Sequence, residues 1–404
     1  MTPVPYVACK GSSAPKRPRV FVVLEYFVPG FKAGGPLRSI WNLTVALREQ
    51  FDFYVYTRDR DEGDDEPFAD VLRDSWQDIG NAKVFYASPS RLSMASLARA
   101  IKTVGPHVIY LNSAFSPMSL RVLVLRKLGV APAPTIVAPR NELSPGALSL
   151  KRTKKRAFVA IAHMARLYKR AIWQCSNDAE AAQVRAVFAD ARTEIACDVA
   201  MPLSAVQART TPSKRPGSAN FVYVSRISPK KNLLMALQAL QACGGDVTFD
   251  IYGPIQDAGY WRDCLDVIRS MPSNVTATYR GSLRPESIQE TLAPYHYFVL
   301  PTLGENFGHA IHEALSVGLP VLIGTETPWS TVTSTKAGWV VQPDVPSWTS
   351  AITEAVMTTS DELRLMGANA WEVAISSGVA NDAVQANRRL LSAAVAMCDA
   401  NVEL

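Results

Sequence analysis

The chain has 404 residues, which exceeds one ordinary domain and predicts two domains of about 200 residues each. Hydrophobic residues make up 48% and charged residues 19% of the sequence, a composition that excludes a disordered chain. The formal net charge of +6 is modest, and neither aromatic platforms nor a recognisable nucleic-acid-binding module accompanies it. We therefore expect no nucleic-acid partner.

The sequence contains no run of about 18 uninterrupted apolar residues, and its N-terminus lacks the apolar core of a signal peptide. The six cysteines are scattered, without the spacing of a metal site or of a disulfide framework. These features favour a cytoplasmic protein. They leave open a peripheral attachment to the inner face of a membrane.

Apolar runs of strand length alternate with helical patterns along most of the chain. The first run, VFVVLEYF, begins at Val20, and a stretch rich in Pro, Ser, Lys and Gly marks a linker in mid-chain. Strands separated by helices predict an α/β fold with two Rossmann-like parallel-sheet domains that face a cleft. We expect a flexible lead (1–18), an N-terminal domain (19–208), a linker (209–220), a C-terminal domain (221–375) and a helical tail (376–404).

Two glutamates lie eight positions apart in the stretch GENFGHAIHEAL. Ile311, Ala314 and Leu315 have helical spacing, which places Glu305 in the loop before a helix and Glu313 about two turns into it. Free backbone N–H groups at the start of such a helix can bind an anion or a sugar hydroxyl. The two carboxylates therefore suit the two ends of one elongated ligand.

Two cations follow the predicted strand FVYVSR. Arg226 ends this stretch and Lys231 lies at the start of the next helix, so both are expected at the edge of the cleft. An arginine fork and a lysine point charge together suit a diphosphate. Gly253 follows another predicted strand, where glycine permits a close approach of the backbone.

Four segments carry a resemblance to a known family. SRISPKKN, DIYGP, YRGSL and LPTLGENFGHAIHEALSVGLPV, in that order, resemble the C-terminal domain of retaining glycosyltransferases of family 4, which have the GT-B fold. The resemblance covers most of residues 221–325. The stretch around APRNELSPG further resembles a bacterial branch of that family that builds polysaccharide and lipopolysaccharide.

The resemblance implies how the donor would be held. Glu313 would bind the nucleotide ribose. Glu305 would bind the donor sugar, together with the backbone of Asn306, Phe307 and Gly308.

The resemblance also implies the chemistry. Arg226 and Lys231 would neutralise the departing diphosphate, and the backbone near Ser282 and Leu283 would meet the base. The implied reaction moves a hexose from a UDP- or GDP-sugar with retention of configuration, without a metal and without a cofactor besides the nucleotide-sugar co-substrate. Asn232 stands where the family often has glycine after the lysine.

The N-terminal half supplies candidates for the acceptor side. Gly34 and Gly35 follow the first strand and resemble the glycine loop that the family places against the donor phosphates and the acceptor. The loop is not a GxGxxG motif, so a dinucleotide fingerprint is not supported. Arg140 and Glu142 follow another predicted strand, and Asn141 stands where the related branch commonly has glycine.

Residues 151–173 contain eight Lys and Arg and no acid. One stripe of the predicted helix is apolar and consists of Phe158, Ile161, Ala165, Tyr168 and Ile172. Such a basic amphipathic helix fits anionic lipid headgroups or a lipid-diphosphate acceptor, or else it packs on the sheet with a solvated basic side. The expected partners are accordingly a nucleotide sugar, a lipid-linked saccharide acceptor and a membrane surface.

Two patterns could indicate a metal. Asp59 and Asp61 form an Asp-x-Asp after a strand, which is the metal signature of the other large glycosyltransferase fold, but we interpret it as an acidic loop. His309 and His312 have no third ligand at a suitable spacing, so we expect no metal site there.

Three alternatives remain open at this point. A glycoside hydrolase could use the two glutamates as acid and base, although it would give no reason for the two cations. A sugar-nucleotide epimerase shares the two-domain form, and an inactive scaffold would keep the fold without the chemistry.

Overall fold

The computed structural model describes residues 17–149, 152–201, 211–376 and 379–400 of the chain. Within these ranges two separate sheets form, one of eight strands and one of six. Helices lie between the strands along the chain. This confirms the predicted α/β fold with two parallel-sheet domains.

The N-terminal sheet has the strand order β3-β4-β2-β1-β5-β6-β7-β8, and all of its pairs are parallel except β3 with β4. Its strands are β1 Arg19–Val23, β2 Asp52–Arg58, β3 Trp76–Ile79, β4 Ala82–Ala87, β5 Val108–Asn112, β6 Thr135–Ala138, β7 Ile172–Cys175 and β8 Arg192–Ile195. Its helices are α1 Gly35–Ala46, α2 Met94–Val104, α3 Pro117–Lys127, α4 Pro145–Ser149, α5 Arg152–Met164 and α6 Asp178–Val187.

The C-terminal sheet is parallel throughout, in the order β11-β10-β9-β12-β13-β14. Its strands are β9 Ser218–Val224, β10 Asp246–Tyr252, β11 Val275–Gly281, β12 Tyr297–Leu300, β13 Val321–Gly324 and β14 Gly338–Val341. The helices are α7 Leu233–Gln241, α8 Ala258–Arg269, α9 Ile288–Leu292, α10 His309–Ser316, α11 Val345–Met357, α12 Ser360–Ser376 and α13 Val379–Ala400. Every residue of β12 and β13 is buried, because helices cover both faces of a parallel sheet.

The last helix returns to the N-terminal domain. In α13, Leu390, Leu391 and Ala394 are buried in the same core cluster as β1. Asn387 fixes this packing, since its amide donates to the Cys197 carbonyl at 2.8 Å and accepts from Gln174 at 3.1 Å. The predicted helical tail is therefore part of the N-terminal core. No helix among the described residues is both long and apolar enough to cross a membrane.

One predicted domain boundary needs correction, and two predicted segments lie partly outside the described residues. β9 begins at Ser218, so residues 218–220 belong to a strand and not to the predicted linker. Residues 202–210 and the first sixteen residues of the predicted lead lie outside the described part of the chain.

The prediction of one helix over residues 151–173 was wrong. α5 ends at Met164, and further on Arg166 and Arg170 have φ values of 47° and 62°, which a right-handed helix cannot accommodate. Ile172 then begins β7, which pairs in parallel with β6 on one side and with β8 on the other. The predicted apolar stripe is broken as well, since Ile161 is 58% exposed.

Candidate active site

A cavity of about 220 Å³ lies between the two domains. It is lined by the start of α1 and the loop before it, by residues after β6 and β8, and by loops that follow β9, β10 and β12. These loops leave the carboxyl ends of parallel strands, the usual ligand position of open α/β sheets. Of the predicted site residues, the following line it: Gly34, Gly35, Arg140, Arg226, Lys231, Gly253, Leu283, Glu305, Asn306, Phe307, Gly308 and Glu313. Ser282 and Glu142 do not.

Lys231 and Glu305 form a largely buried ion pair within the C-terminal domain. Their side chains are only 12% and 13% exposed. Burial alone would raise the pKa of Glu305, but the charge and hydrogen bond of Lys231 lower it below its ordinary value. Glu305 is therefore an ionised hydrogen-bond acceptor at neutral pH.

The two asparagines that replace expected glycines occupy the conformation that glycine favours. Asn232 has φ 55° and Asn141 has φ 63°, both in the left-handed region. Asparagine tolerates this region better than most residues do. The substitutions thus preserve the turns that present Lys231 and Arg140.

Gly253 has no room for a side chain. Its φ is 142°, and a Cβ atom there would lie 1.8 Å from the Ser225 carbonyl oxygen. The backbone after β10 is thereby packed directly against the backbone that leads to Arg226. A Cβ on Gly34 would lie 3.6 Å from Nε of Arg226, so this arginine lies between the glycine loop and the C-terminal sheet.

Glu313 is nearer the start of its helix than predicted. Gly308 has φ 81° and precedes α10, so Glu313 is the fifth residue of that helix. Its side chain is 9% exposed and pairs with Arg38 of α1 through Oε1. Its Oε2 is buried and has no hydrogen-bond partner among the described residues.

Arg38 was missed at the sequence level. The sequence points to the glycine loop directly before Arg38 but not to Arg38 itself. The burial of Arg38 depends on the contact of α1 with α10 across the cleft. Two further contacts cross there. The Ser39 hydroxyl lies 2.9 Å from Nε2 of His309, and the Asn306 amide donates to Glu180 at 3.0 Å.

The Asp-x-Asp pair is engaged by the protein itself. Oδ2 of Asp61 accepts the backbone N–H groups of Phe31 at 2.7 Å and Lys32 at 3.1 Å. A Cβ on Gly30 would lie 2.8 Å from Oδ1 of the same carboxylate. Asp59 accepts from Arg60 at 2.9 Å. Asp61 thus anchors the loop that leads to the cavity. This is compatible with the interpretation of residues 59–61 as part of an acidic loop. In the part of the chain that is described, no group of three His, Cys, Asp or Glu suits a metal.

The two predicted acceptor-side residues have different positions. Arg140 lines the cavity, pairs with Asp198 and donates to Asn112 at 2.6 Å. Glu142 is turned away from the cavity. It accepts from the Ser113 hydroxyl and the Ala114 N–H, each at 2.7 Å, and so fixes the turn between β5 and α3.

The central part of the chain matches a known sequence family. Residues 218–357 match the family described as Glycosyl transferases group 1. These residues form a glycosyltransferase domain. The match lies on the C-terminal sheet, and it confirms the prediction of a glycosyltransferase enzyme. No curated protein sequence matches the chain.

Solved structures match the glycosyltransferase over nearly its whole length. Sucrose-phosphate synthase from Thermosynechococcus elongatus is 18% identical, with a TM-score of 0.69 over 93% of this chain and 100% of its own. Anabaena HepE in complex with UDP-glucose is 16% identical, with a TM-score of 0.67 over 93% and 98%. WaaG, a glycosyltransferase involved in lipopolysaccharide biosynthesis, is 14% identical, with a TM-score of 0.61 over 91% and 98%. These likenesses establish the GT-B fold.

The two histidines of α10 give a pH prediction. Burial lowers the pKa of His309 and of His312 from 6.5 to about 4. The unfolded chain takes up these protons near pH 6.5 and the folded protein does not, so the contribution to stability is complete above pH 6.5 and is lost toward pH 4. Each histidine can contribute up to about 3 kcal/mol.

Thermal unfolding between pH 7 and pH 4.5 tests this. We expect the melting temperature of the wild type to fall more steeply than that of a His309→Gln/His312→Gln double variant. Glutamine does not titrate, so equal slopes would contradict the assignment, whatever the absolute stability of the variant.

Proposed function

We propose that this glycosyltransferase moves a hexose from a UDP- or GDP-sugar to a lipid-linked saccharide acceptor, with retention of configuration and without a metal. The observation that carries the proposal is the convergence of Arg226, Lys231, Glu305 and Glu313 in one cleft between the domains. Anabaena HepE was solved with UDP-glucose, which supports a nucleotide sugar as donor.

The cations suit the leaving group. Arg226 and Lys231 lie at the cleft edge after β9, and α10 points its N-terminus into the same cavity. Fixed positive charge is most effective where negative charge develops, and here the charge develops on the departing diphosphate. Asp61 already accepts from the backbone and Asp59 from Arg60. We therefore propose that Arg226 and Lys231 act in place of a metal.

The carboxylates favour direct transfer with retention. Each carboxylate that lines the cavity is paired with a cation: Glu305 with Lys231, Glu313 with Arg38, and Asp198 with Arg140. The resemblance to retaining glycosyltransferases implies that the leaving phosphate itself acts as the base for the incoming hydroxyl, and we propose the same here.

The same pairing argues against the glycoside hydrolase. A hydrolase needs a general acid that is protonated near neutral pH. The lowered pKa of Glu305 is the opposite of that requirement.

The acceptor is proposed to be lipid-linked and to belong to exopolysaccharide or lipopolysaccharide assembly at the inner face of the membrane. WaaG is involved in lipopolysaccharide biosynthesis, which supports this class of acceptor. A surface of this chain supports it as well. The ends of α3 and α5 adjoin, since Lys127 donates to the Ala165 carbonyl at 2.6 Å. Around them lie exposed apolar and basic side chains: Leu128, Ile161, Met164, Lys127, Arg166, Lys169 and Arg170.

Donor turnover tests the function. Purified protein in EDTA is incubated with a panel of UDP- and GDP-sugars, and nucleotide release and thermal stabilisation are followed. We expect one donor to stabilise the protein and to be hydrolysed slowly, and the product of a full reaction to keep the anomeric configuration by NMR. A response that requires manganese would overturn the metal-independent proposal.

The lysine gives a second prediction. We expect Lys231→Ala to lower kcat by about 10²–10³, the scale for the loss of one preorganised donor to a developing charge. Arg269→Ala, on the exposed surface of α8, is the matched control for loss of a cation. Activity of the Lys231 variant within about threefold of the wild type would exclude the role.

Vesicle binding tests the membrane contact. We expect the protein to sediment with vesicles that contain phosphatidylglycerol and not with pure phosphatidylcholine. A Met164→Glu/Lys169→Glu variant should bind at least about tenfold more weakly, because each basic residue near an anionic surface contributes about 1 kcal/mol. Arg269→Glu should bind like the wild type, and equal loss in both variants would contradict the location of the surface.

A further inference from the structure

The contact between Arg38 and Glu313 joins the two domains at the candidate donor site. Arg38 belongs to α1 of the N-terminal domain, and Glu313 to α10 of the C-terminal domain. Their side chains are 19% and 9% exposed. Arg38 donates to Oε1 only, so the buried Oε2 keeps its lone pairs for another donor.

We propose that Arg38 is a positioning residue for the nucleotide: it keeps Glu313 ionised and oriented, so that the ribose binds only when the two domains are in contact. This inference rests on the proposed function and on the role that the family resemblance implies for Glu313, which is to bind the nucleotide ribose. It assigns a role in donor binding to a residue of the opposite domain.

Glu313 has the hydrogen-bonding capacity to bind the arginine and a ribose together. A carboxylate has about four lone-pair positions on its two oxygens. Arg38 uses one of them, and two vicinal hydroxyls can use the free positions without displacing it. The contact of Ser39 with His309, one turn before Glu313 in α10, also holds the start of α1 against the start of α10.

Without Arg38, Glu313 would be a buried carboxylate without a counter-charge. Such a group takes up a proton more readily, and a protonated carboxyl accepts fewer hydrogen bonds. The affinity of the variant for nucleotide would then fall, relative to the wild type, as the pH is lowered.

The other charged groups near Glu313 are the same in the wild type and in the Arg38 variants, among them Lys230, which lines the cavity and whose pKa burial lowers. His309 and His312 lie on the same helix, and burial lowers the pKa of each to about 4. Arg226 faces the cavity, and Glu286 acts on Arg38 through space. The charged residues of α9 and α12, which also pack on α10, are solvent-exposed: Glu290, Asp361, Glu362, Arg364 and Glu372.

The experiment measures the Kd of UDP and of GDP by calorimetry from pH 6 to pH 8.5. The terminal phosphate of the nucleotide titrates in this range with either protein, so the wild type is the reference. For the nucleotide that the wild type binds, we expect the ratio of the Arg38→Met Kd to the wild-type Kd to rise about tenfold or more between pH 8 and pH 6. For Arg38→Lys this ratio should be nearly constant. In turnover assays the loss should appear in the KM for the donor more than in kcat.

Controls separate this inference from the proposed function. Arg48→Met removes a cation just past the end of α1, where Arg48 pairs with Glu49 at 3.2 Å on the surface, and should behave like the wild type. If Arg38→Met does not fold, Arg38→Gln keeps hydrogen-bond donors without the charge and should give the same pH dependence. If Glu313→Gln binds nucleotide like the wild type, the proposed donor site is wrong. If Glu313→Gln weakens binding but the Kd ratio of Arg38→Met, or of Arg38→Gln, to the wild type does not change with pH, the inference alone is overturned.

Discussion

The contact of α1 with α10 across the cleft is the constraint on which the site depends. Both helices begin at the cavity, so their first turns bring Arg38 against Glu313 and Ser39 against His309. Groups buried in this way cannot stay charged without a partner. The contact therefore supplies the counter-charge of Glu313 and contributes to the buried surroundings of His309.

The remaining charge is positive. Glu305, Glu313 and Asp198 each have a cation, and Lys32 of the glycine loop pairs with Asp64. Arg226 and Lys230 also line the cavity, and neither has an ion-pair partner among the described residues. Like charge from Lys231 adds to burial in lowering the pKa of Lys230. A cavity with this balance favours an anionic ligand such as a diphosphate.

Features with a short-range signal, such as strand ends, turns and motifs in a fixed order along the chain, could be predicted from the sequence. Contacts between segments that are distant in the sequence could not. Gly253 and Lys231 were identified because strand ends and turns have short-range signals. Arg38 was missed because nothing near it in sequence indicates Glu313, 275 positions away. The prediction of one helix over 151–173 was wrong for a related reason. The spacing of its apolar residues does not show whether the segment is one long helix or a helix followed by a turn and a strand. Only the pairing of β7 with distant strands of the sheet distinguishes the two.

The connections of the chain also hold the two domains together at the cleft. The chain passes between the domains twice, once between β8 and β9 and again between α12 and α13, whose buried leucines anchor it in the N-terminal core. Two tethers keep the facing surfaces at a high effective concentration, so contacts that would be weak between separate molecules suffice here. A nucleotide sugar that binds Glu313 beside Arg38 would add its own contacts to both sides, and binding of the donor would thereby favour the closed cleft.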